Sequence, residues 1–380
     1  MPFDCRHRVA HGQDACVTSC LTAGPDPTGI FARVERESVL PAISDDTVDI
    51  ALLDMHHGWP NLGHDAIVYG IQNIVCDLTP ALRAAGMRVR VTSYDVRRGL
   101  RIPEAPGARH ALYVGTGGPG HLDPRLNDGV AEGSQGINED AAWEPRLFEL
   151  FDAIRADDEA AMFAVCHTFG VVCRWLGIAD AVLRGPGKGG KSSGVVENVL
   201  TEDARVHPWF GRLSRELPDR RHFRVLDSRL YDLIPHGPIA AGLVALSHEA
   251  LGPAGPEGEA LTGLEVARAP SGVMPRILGV NHHPEIVNRP RQLTNLKKRR
   301  ERGAVTDEWY EERVHALSET IGDPRGEYWL NLTSSYLFHG PLRFHLYRQI
   351  RRRAEALGRS IDVDETRLPL VAEGSGVSLQ

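Results

Sequence analysis

One cysteine stands where a predicted strand meets a predicted helix. Cys166 follows the apolar run Ala161–Val165 and precedes HTFGVVCRWLG, whose apolar residues recur at helical spacing. A sharp strand-to-helix turn, called a nucleophile elbow, holds its central side chain out at the carboxyl edge of a parallel sheet. The helix that begins there points free N–H groups and a positive dipole end at the sulfur. Because this environment favours a thiolate, the pattern predicts a nucleophile at Cys166.

Two distant segments can supply its partners. Residues 111–120, ALYVGTGGPG, form an apolar strand that ends in a glycine loop, where bare backbone can offer N–H donors to a substrate. Residues 277–286, ILGVNHHPEI, form another strand, which ends in His283 and Glu285. Pro284 favours an extended backbone, in which residues i and i+2 project from the same side. His283 and Glu285 therefore suit a general base and its orienting carboxylate.

Taken alone, Cys166 has a second interpretation as a buried structural cysteine, which is common in apolar runs. The N-terminal region poses a similar choice, because Cys5, His7, His11, Cys16 and Cys20 carry metal-ligating groups. Their spacing fits no standard zinc pairing, and no metal site is predicted. Residues 1–45 are instead expected to form a poorly ordered leader.

The predicted elements place these motifs in one parallel sheet. Strands near residues 50–53 and 88–94, with a helix at 66–85 between them, precede the strand into the glycine loop. A helix at 144–155 and the elbow follow, which is the order of a doubly wound α/β sheet. Residues 55–65 are expected to border the site, with His56, His57, Trp59, Asn61 and His64 as candidate lining residues or a plain polar loop. Residues 121–140 are expected to form a lid.

Composition narrows the classes of function. The 380 residues carry a net charge of −7, which argues against a general nucleic-acid-binding protein. The sequence predicts no membrane span and no secretory signal, so a cytoplasmic protein is expected. After residue 290 the pattern changes to helical spacing, which predicts a helical C-terminal extension over residues 291–380. Three helices are predicted there, in LTNLKKRRERG, TDEWYEERVHALSETIG and PLRFHLYRQIRRRAEALG.

Residues 185–192, GPGKGGKS, match the phosphate-binding pattern G-x-x-x-x-G-K-[ST]. Such a loop needs a strand before it and a helix after it, whereas the β-branched sequence VVENVLT follows here. A turn leading into a strand is therefore favoured over a nucleotide site.

In this order, the glycine loop, the elbow and the His-Pro-Glu strand resemble the class I glutamine amidotransferase domain, over residues 46–290. The resemblance implies a three-layer, flavodoxin-like α/β fold and a Cys-His-Glu triad of Cys166, His283 and Glu285. It implies an oxyanion hole from the N–H groups of Gly118 or Gly117 and of His167. No cofactor is implied; the substrate would be glutamine or a related γ-glutamyl compound, and the partner a separate ammonia-accepting synthetase.

The chain departs from this family at four positions, and three of them, Thr168, Gly170 and His282, are expected to contact substrate. The family elbow is usually G-x-C-x-G-x-Q, and here Ala164, Thr168 and Gly170 take the places of the two glycines and the glutamine. Thr168 narrows the turn, and Gly170 removes an amide contact with bound glutamine. His282 stands where the family usually has an aromatic residue, either as a substrate contact or as a filled core position.

Three functions therefore remain open. The first is a glutamine amidotransferase-type hydrolase that releases ammonia for another enzyme. The second is a cysteine hydrolase of γ-glutamyl peptides or of another amide or ester, because Gly170 alters the pocket. The third is a binding or scaffold protein on the same fold, without catalysis.

Overall fold

The computed structural model describes residues 28–107, 109–319 and 321–363. In chain order, the strands in this part of the protein are β1 (Gly29–Val34), β2 (Thr47–Asp54), β3 (Arg88–Asp95), β4 (His110–Gly115), β5 (Ala161–Val165), β6 (Ala179–Leu183), β7 (Ser192–Leu200), β8 (His222–Arg229), β9 (Tyr231–Pro235), β10 (Val244–Ala250), β11 (Glu257–Arg268) and β12 (Pro275–Val280). The α-helices are α1 (Leu62–Ala85), α2 (Trp143–Ala156), α3 (His167–Leu176), α4 (Glu202–Val206), α5 (Phe210–Glu216), α6 (Arg289–Glu301), α7 (Asp307–Ser318), α8 (Pro324–Ser334) and α9 (Gly340–Ala356).

Ten strands form one mixed sheet in the order β1-β3-β2-β4-β5-β12-β11-β10-β7-β8. From β1 to β12 the neighbouring strands are parallel, and from β12 to β8 they are antiparallel. The run β3-β2-β4-β5-β12 has the 2-1-3-4-5 order of flavodoxin-like folds, so the predicted fold class is confirmed. Strands β6 and β9 pair separately as a short antiparallel ribbon.

Helices cover both faces of the parallel strands, and the central strand β5 is apolar on both faces. In β5, Phe163 and Val165 join the core cluster that contains α1 and α9, whereas Met162 and Ala164 join the cluster that contains α2 and α3. Alternate side chains of a strand point to opposite faces, which gives this division. The result is the predicted three-layer arrangement, and it leaves the carboxyl ends of β4, β5 and β12 at one edge.

The C-terminal extension is helical, as predicted, and it packs on the sheet. Helix α9 buries Leu342, Leu346 and Ile350 in the core cluster that it shares with α1. Helix α8 is an addition to the three helices predicted from spacing, and it continues through a π-helical turn at Ser335–His339 into α9. Within the described chain, no helix has the length and apolar character needed to span a membrane.

The phosphate-loop pattern ends in a strand, not a helix. Residues 186–188 form a single 3-10 turn, and β7 begins at Ser192, directly after Lys191. The predicted turn and strand are confirmed, and the helix that a phosphate loop requires is not formed there.

The predicted leader differs from the structure at its end. Gly29–Val34 forms β1, which pairs in parallel with β3 and lengthens the sheet by one edge strand. Its sequence GIFARV is short, contains the exposed Arg33 and is mostly only partly buried, and an edge strand lacks the long apolar run of a central one. The candidate ligands Cys5, His7, His11, Cys16 and Cys20 lie outside the described residues. The division of the chain into domains stays a prediction.

Candidate active site

Cys166 occupies a strained turn between β5 and α3. Its backbone angles are φ 49° and ψ −103°, a combination that non-glycine residues rarely adopt. Its N–H donates to the carbonyl of Val280, the last residue of β12, at 2.8 Å. This bond joins the elbow to the strand that leads to His283. The unusual backbone predicted for a nucleophile elbow is therefore present, and Cys166 is partly exposed while the residues on either side of it are buried.

His283 lies between the sulfur and a buried carboxylate. Its Nδ1 is 2.9 Å from Oε1 of Glu285, and its ring interacts with the Cys166 side chain. Burial opposes the charged imidazolium, but the Glu285 carboxylate and the Cys166 sulfur outweigh burial and raise the pKa of His283 well above its usual range. The imidazole of His283 thus interacts with both the sulfur and the carboxylate.

The first turn of α1 receives the carboxylate of Glu285. A Cβ on Gly63 would lie 2.6 Å from Oε1 of Glu285, so only glycine permits this approach. The N–H of Gly63 donates to Oδ1 of Asn61, which caps the helix, at 2.6 Å. A helix N-terminus stabilises negative charge, which suits a carboxylate that is fully buried. Sequence reasoning placed Asn61 at the mouth of the site and missed this contact, which depends on packing between α1 and the segment after β12.

The glycine loop after β4 reaches the same place. A Cβ on Gly117 would lie 3.0 Å from Cε1 of His283 and 3.9 Å from Sγ of Cys166. A Cβ on Gly118 would lie 2.3 Å from the carbonyl oxygen of Met55, so both glycines are needed for close packing. The ring of His167 is buried, and burial lowers its pKa well below the usual range, an effect that the Gly118 backbone opposes. His167 begins α3, where backbone N–H groups lack intrahelical acceptors.

Packing positions Thr168 and His282, two of the three residues predicted to contact substrate. The hydroxyl of Thr168 donates to the carbonyl of Thr116 at 2.7 Å, and its side chain is completely buried against Gly115. His282 is also buried, with Nδ1 3.4 Å from Nδ2 of Asn198, and burial lowers its pKa to about 3. Their roles in substrate binding stay predictions.

Gly170 has a different neighbour from the one that the family pattern suggests. A Cβ on Gly170 would lie 2.3 Å from Cδ1 of Leu122. Leu122 is buried and comes from the segment predicted to be a lid. An apolar side chain therefore fills the space next to Gly170, where the family pattern would place a glutamine side chain.

Segment 121–140 is packed against the body of the protein. Arg97 and Glu139 form a salt bridge with Nη2 and Oε1 2.7 Å apart, and both side chains are fully buried. Nη1 of Arg97 also donates to the carbonyls of Met55 and Pro119. One arginine therefore connects this segment, the loop after β2 and the glycine loop. Movement of the segment as a lid stays a prediction.

The candidate lining residues of loop 55–65 differ in exposure. His56 is buried, with Nδ1 2.7 Å from Asp54, and burial lowers its pKa to about 4. His64 is also nearly buried and contacts Ser93 through Nε2 at 2.9 Å, whereas Trp59 is exposed. The histidines of this loop thus contribute to packing beneath the site.

Lys191 is a residue near the site that sequence reasoning missed. Its ammonium is 2.5 Å from Oε1 of Glu312 in α7, and its charge interacts with the sulfur of Cys166. Composition could have pointed to Lys191, because lysine is rare in this arginine-rich chain and two lysines fall in residues 185–192.

No protein-family model and no curated protein matches the sequence. Among solved structures, the chain is similar to a glutamine amidotransferase from Thermotoga maritima, with 17% identity and a TM-score of 0.43, over 80% of this chain and 98% of that one. It is also similar to a protein from Thermoplasma acidophilum described as part of a GMP synthase, with 13% identity and a TM-score of 0.34, over 63% of this chain and 85% of that one. A third is a ThuA-like protein from Bacteroides uniformis, with 7% identity and a TM-score of 0.33, over 67% of this chain and 90% of that one. The flavodoxin-like fold itself rests on the strand order described above.

Proposed function

We propose that the chain is a cysteine amidohydrolase of the glutamine amidotransferase type, with Cys166 as nucleophile. The observation that supports it best is His283, which hydrogen-bonds Glu285 and interacts with the side chain of Cys166 on a strained elbow. More than a hundred residues separate Cys166 from His283, and a buried structural cysteine needs neither partner.

Each residue has a distinct part in the proposed reaction. The thiolate of Cys166 attacks the carbonyl carbon of the γ-amide of glutamine, and the oxygen takes the negative charge beside the N–H groups of Gly118 or Gly117 and His167. His283 gives its proton to the leaving nitrogen as the C–N bond breaks, which leaves a thioester and ammonia. Water, deprotonated by His283, then hydrolyses the thioester to glutamate. Glu285 keeps the imidazole in position and stabilises its positive charge.

We further propose that the released ammonia passes to a separate acceptor enzyme. This proposal follows the resemblance to glutamine amidotransferases; in this chain the strands, α1 and α9 share one core.

Glutamate release from glutamine tests the first function directly. Wild-type protein should release glutamate and ammonia in equal amounts, and Cys166→Ala should reduce both to background. Cys173→Ala is the matched control, because Cys173 lies on the buried face of α3, where burial raises the pKa of its thiol. Equal background release by wild type and Cys166→Ala would reject the proposal.

One observation favours the second candidate, a hydrolase of γ-glutamyl peptides or of another amide or ester. Leu122 fills the space beside Gly170, so this pocket wall is apolar and lacks a side-chain amide for glutamine. An apolar wall suits a substrate with a larger leaving group. A comparison of kcat/KM for glutamine and a γ-glutamyl anilide separates the two, because a preference for glutamine would contradict the second candidate. A protein that turns over neither compound would favour the scaffold hypothesis.

A further inference from the structure

Lys191, Glu312 and Arg313 form an ion triplet. Nζ of Lys191 is 2.5 Å from Oε1 of Glu312, and Nη1 of Arg313 is 2.8 Å from the same oxygen. Two cations therefore share one carboxylate oxygen, which leaves a local excess of positive charge. All three side chains are only partly exposed, and such partial burial strengthens their interaction with a charged ligand.

Helix α7 is held beside the segment that carries the triad histidine and glutamate. Leu317 of α7 packs in one apolar cluster with Leu226 of β8, and Ile286 packs against that cluster. The carbonyl of Leu226 accepts a hydrogen bond from the N–H of His283 at 2.8 Å. Since Ile286 directly follows Glu285, this packing fixes the charged residues of α7 close to the proposed site.

Lys191 is also within electrostatic reach of the sulfur. Burial and the Arg313 guanidinium lower its pKa, and Glu312 and the Cys166 sulfur act in the opposite direction. Arg313 is held from the other side, with its guanidinium carbon 4.9 Å from the centre of the Trp309 ring. The two cations are therefore positioned before any ligand binds.

Lys188, in the same loop, has a different environment. Its Nζ is 3.0 Å from Oδ2 of Asp232, a buried carboxylate of β9 that also contacts Arg184 and Arg229. The loop thus places one lysine in a structural ion cluster and the other in the ion triplet with Glu312. This difference supplies a matched control.

We propose that Lys191 and Arg313 form an anion-binding part of the substrate site, which binds a carboxylate of the substrate beside the reacting amide. The location of this subsite rests on the proposed function, because Cys166 defines where the amide lies. A carboxylate competes with Glu312 for the two cations, and the C-terminal extension thereby selects anionic amides over neutral ones.

Alkylation of Cys166 tests this inference without any need for turnover. Iodoacetate and iodoacetamide are similar in size, and only iodoacetate carries a carboxylate. Their second-order rates are measured on the full chain by mass spectrometry of the peptide that contains Cys166, and expressed as the ratio of iodoacetate to iodoacetamide. Loss of one charge-assisted contact predicts a fall in this ratio of about tenfold for Lys191→Gln. The ratio should stay unchanged in Lys188→Gln.

Two further variants keep the test informative even if Lys191→Gln does not fold. Glu312→Gln removes the competing carboxylate, so the ratio should rise, and Arg313→Gln should lower it. Equal ratios in wild type and in every triplet variant would overturn the inference, whether or not glutamine is hydrolysed. A ratio that changes as expected in a protein that hydrolyses no amide would overturn the proposed function and support the anion subsite. A Cys166 that neither reagent modifies would overturn both.

Discussion

Two buried carboxylates, Asp232 and Glu285, are held in different ways. Asp232 contacts Arg184 at 2.7 Å, Lys188 at 3.0 Å and Arg229 at 3.3 Å. Among the described residues, Glu285 has one hydrogen-bond partner, His283 at Oε1, while its Oε2 is buried without any.

The difference separates a structural role from a chemical one. Asp232 is surrounded by cations that cannot lose their protons at ordinary pH, and although burial opposes it, they lower the pKa of Asp232. Such a cluster fixes β8 and β9 to the segment after β6 and has no proton to give. Glu285 instead holds a single imidazole, which can take up and release a proton. A buried carboxylate whose single partner is a histidine is therefore better suited to catalysis than one that is surrounded by arginine and lysine.

The largest expected effect comes from exchanging each carboxylate for its amide. Glu285→Gln should lower kcat for amide hydrolysis by roughly a hundredfold or more, because His283 loses the charge that holds its proton. Its thermal stability should change little by comparison. Asp232→Asn should lower stability on the order of 3 kcal/mol, because it leaves buried cations short of a partner, and it should keep kcat.

Steady-state rates and urea unfolding of both variants test this comparison. NMR titration of His283 adds a direct readout, since its pKa should fall in Glu285→Gln and stay raised in Asp232→Asn. A Glu285→Gln protein with wild-type kcat would contradict the proposed role of Glu285.

The elements that carry the proposed triad were predictable because each signal is local. The strand before Cys166, the helix after it and the proline after His283 all act within a few residues. Parallel strands then bring their carboxyl ends to one edge, so convergence followed from the order of the elements.

The surroundings of the triad were not predictable because they depend on contacts between distant segments. Gly63 against Glu285, Leu122 against Gly170, and Lys191 against Glu312 each join parts of the chain that no periodicity connects. Helix α8 was missed for a related reason, since its sequence PRGEYWLNLTS has no clear apolar stripe, and tertiary packing stabilises it.

Arg97 stabilises the fold and also supports the glycine loop of the proposed site. Its replacement should therefore have an effect of intermediate size on both stability and activity. It pairs with buried Glu139 and donates to the carbonyls of Met55 and Pro119, next to the glycine loop. Arg97→Lys keeps the charge but loses the planar, bidentate contact. We expect stability to fall by about 1–3 kcal/mol and kcat/KM by about tenfold, because the loop that carries Gly118 loses support.

The measurement is again urea unfolding beside steady-state kinetics. Arg300→Lys is the control, since Arg300 is an exposed residue of α6 that pairs with Asp307. A change in stability without any change in kcat/KM would place Arg97 with Asp232 as a purely structural residue.

The histidines show the same contrast between structural and proposed catalytic residues as the two carboxylates. Burial lowers the pKa of His56, His110, His339 and His345 to about 4, whereas the pKa of His283 is raised. The raised pKa gives a contribution to stability that is complete below the unfolded pKa of about 6.5 and is lost as pH rises through the folded value. A lowered histidine pKa instead gives a contribution to stability that is present above the unfolded pKa and is lost as pH falls through the folded value.

The smallest effect is expected from removing one of the neutral histidines. As pH falls from about 6.5 to about 4, an unfolded chain protonates at His345 while the folded chain does not, so stability decreases by at most about 1.4 kcal/mol per pH unit for this residue. His345→Gln can keep the hydrogen bond to the carbonyl of Pro275 and cannot titrate. The loss of stability between pH 7 and pH 5, measured by urea unfolding, should therefore be smaller in His345→Gln than in wild type. His236→Gln is the control, because His236 is exposed and Asp180 raises its pKa, so its removal cannot reduce that loss. If His345→Gln and wild type lose stability equally over this range, His345 is not buried in the neutral form.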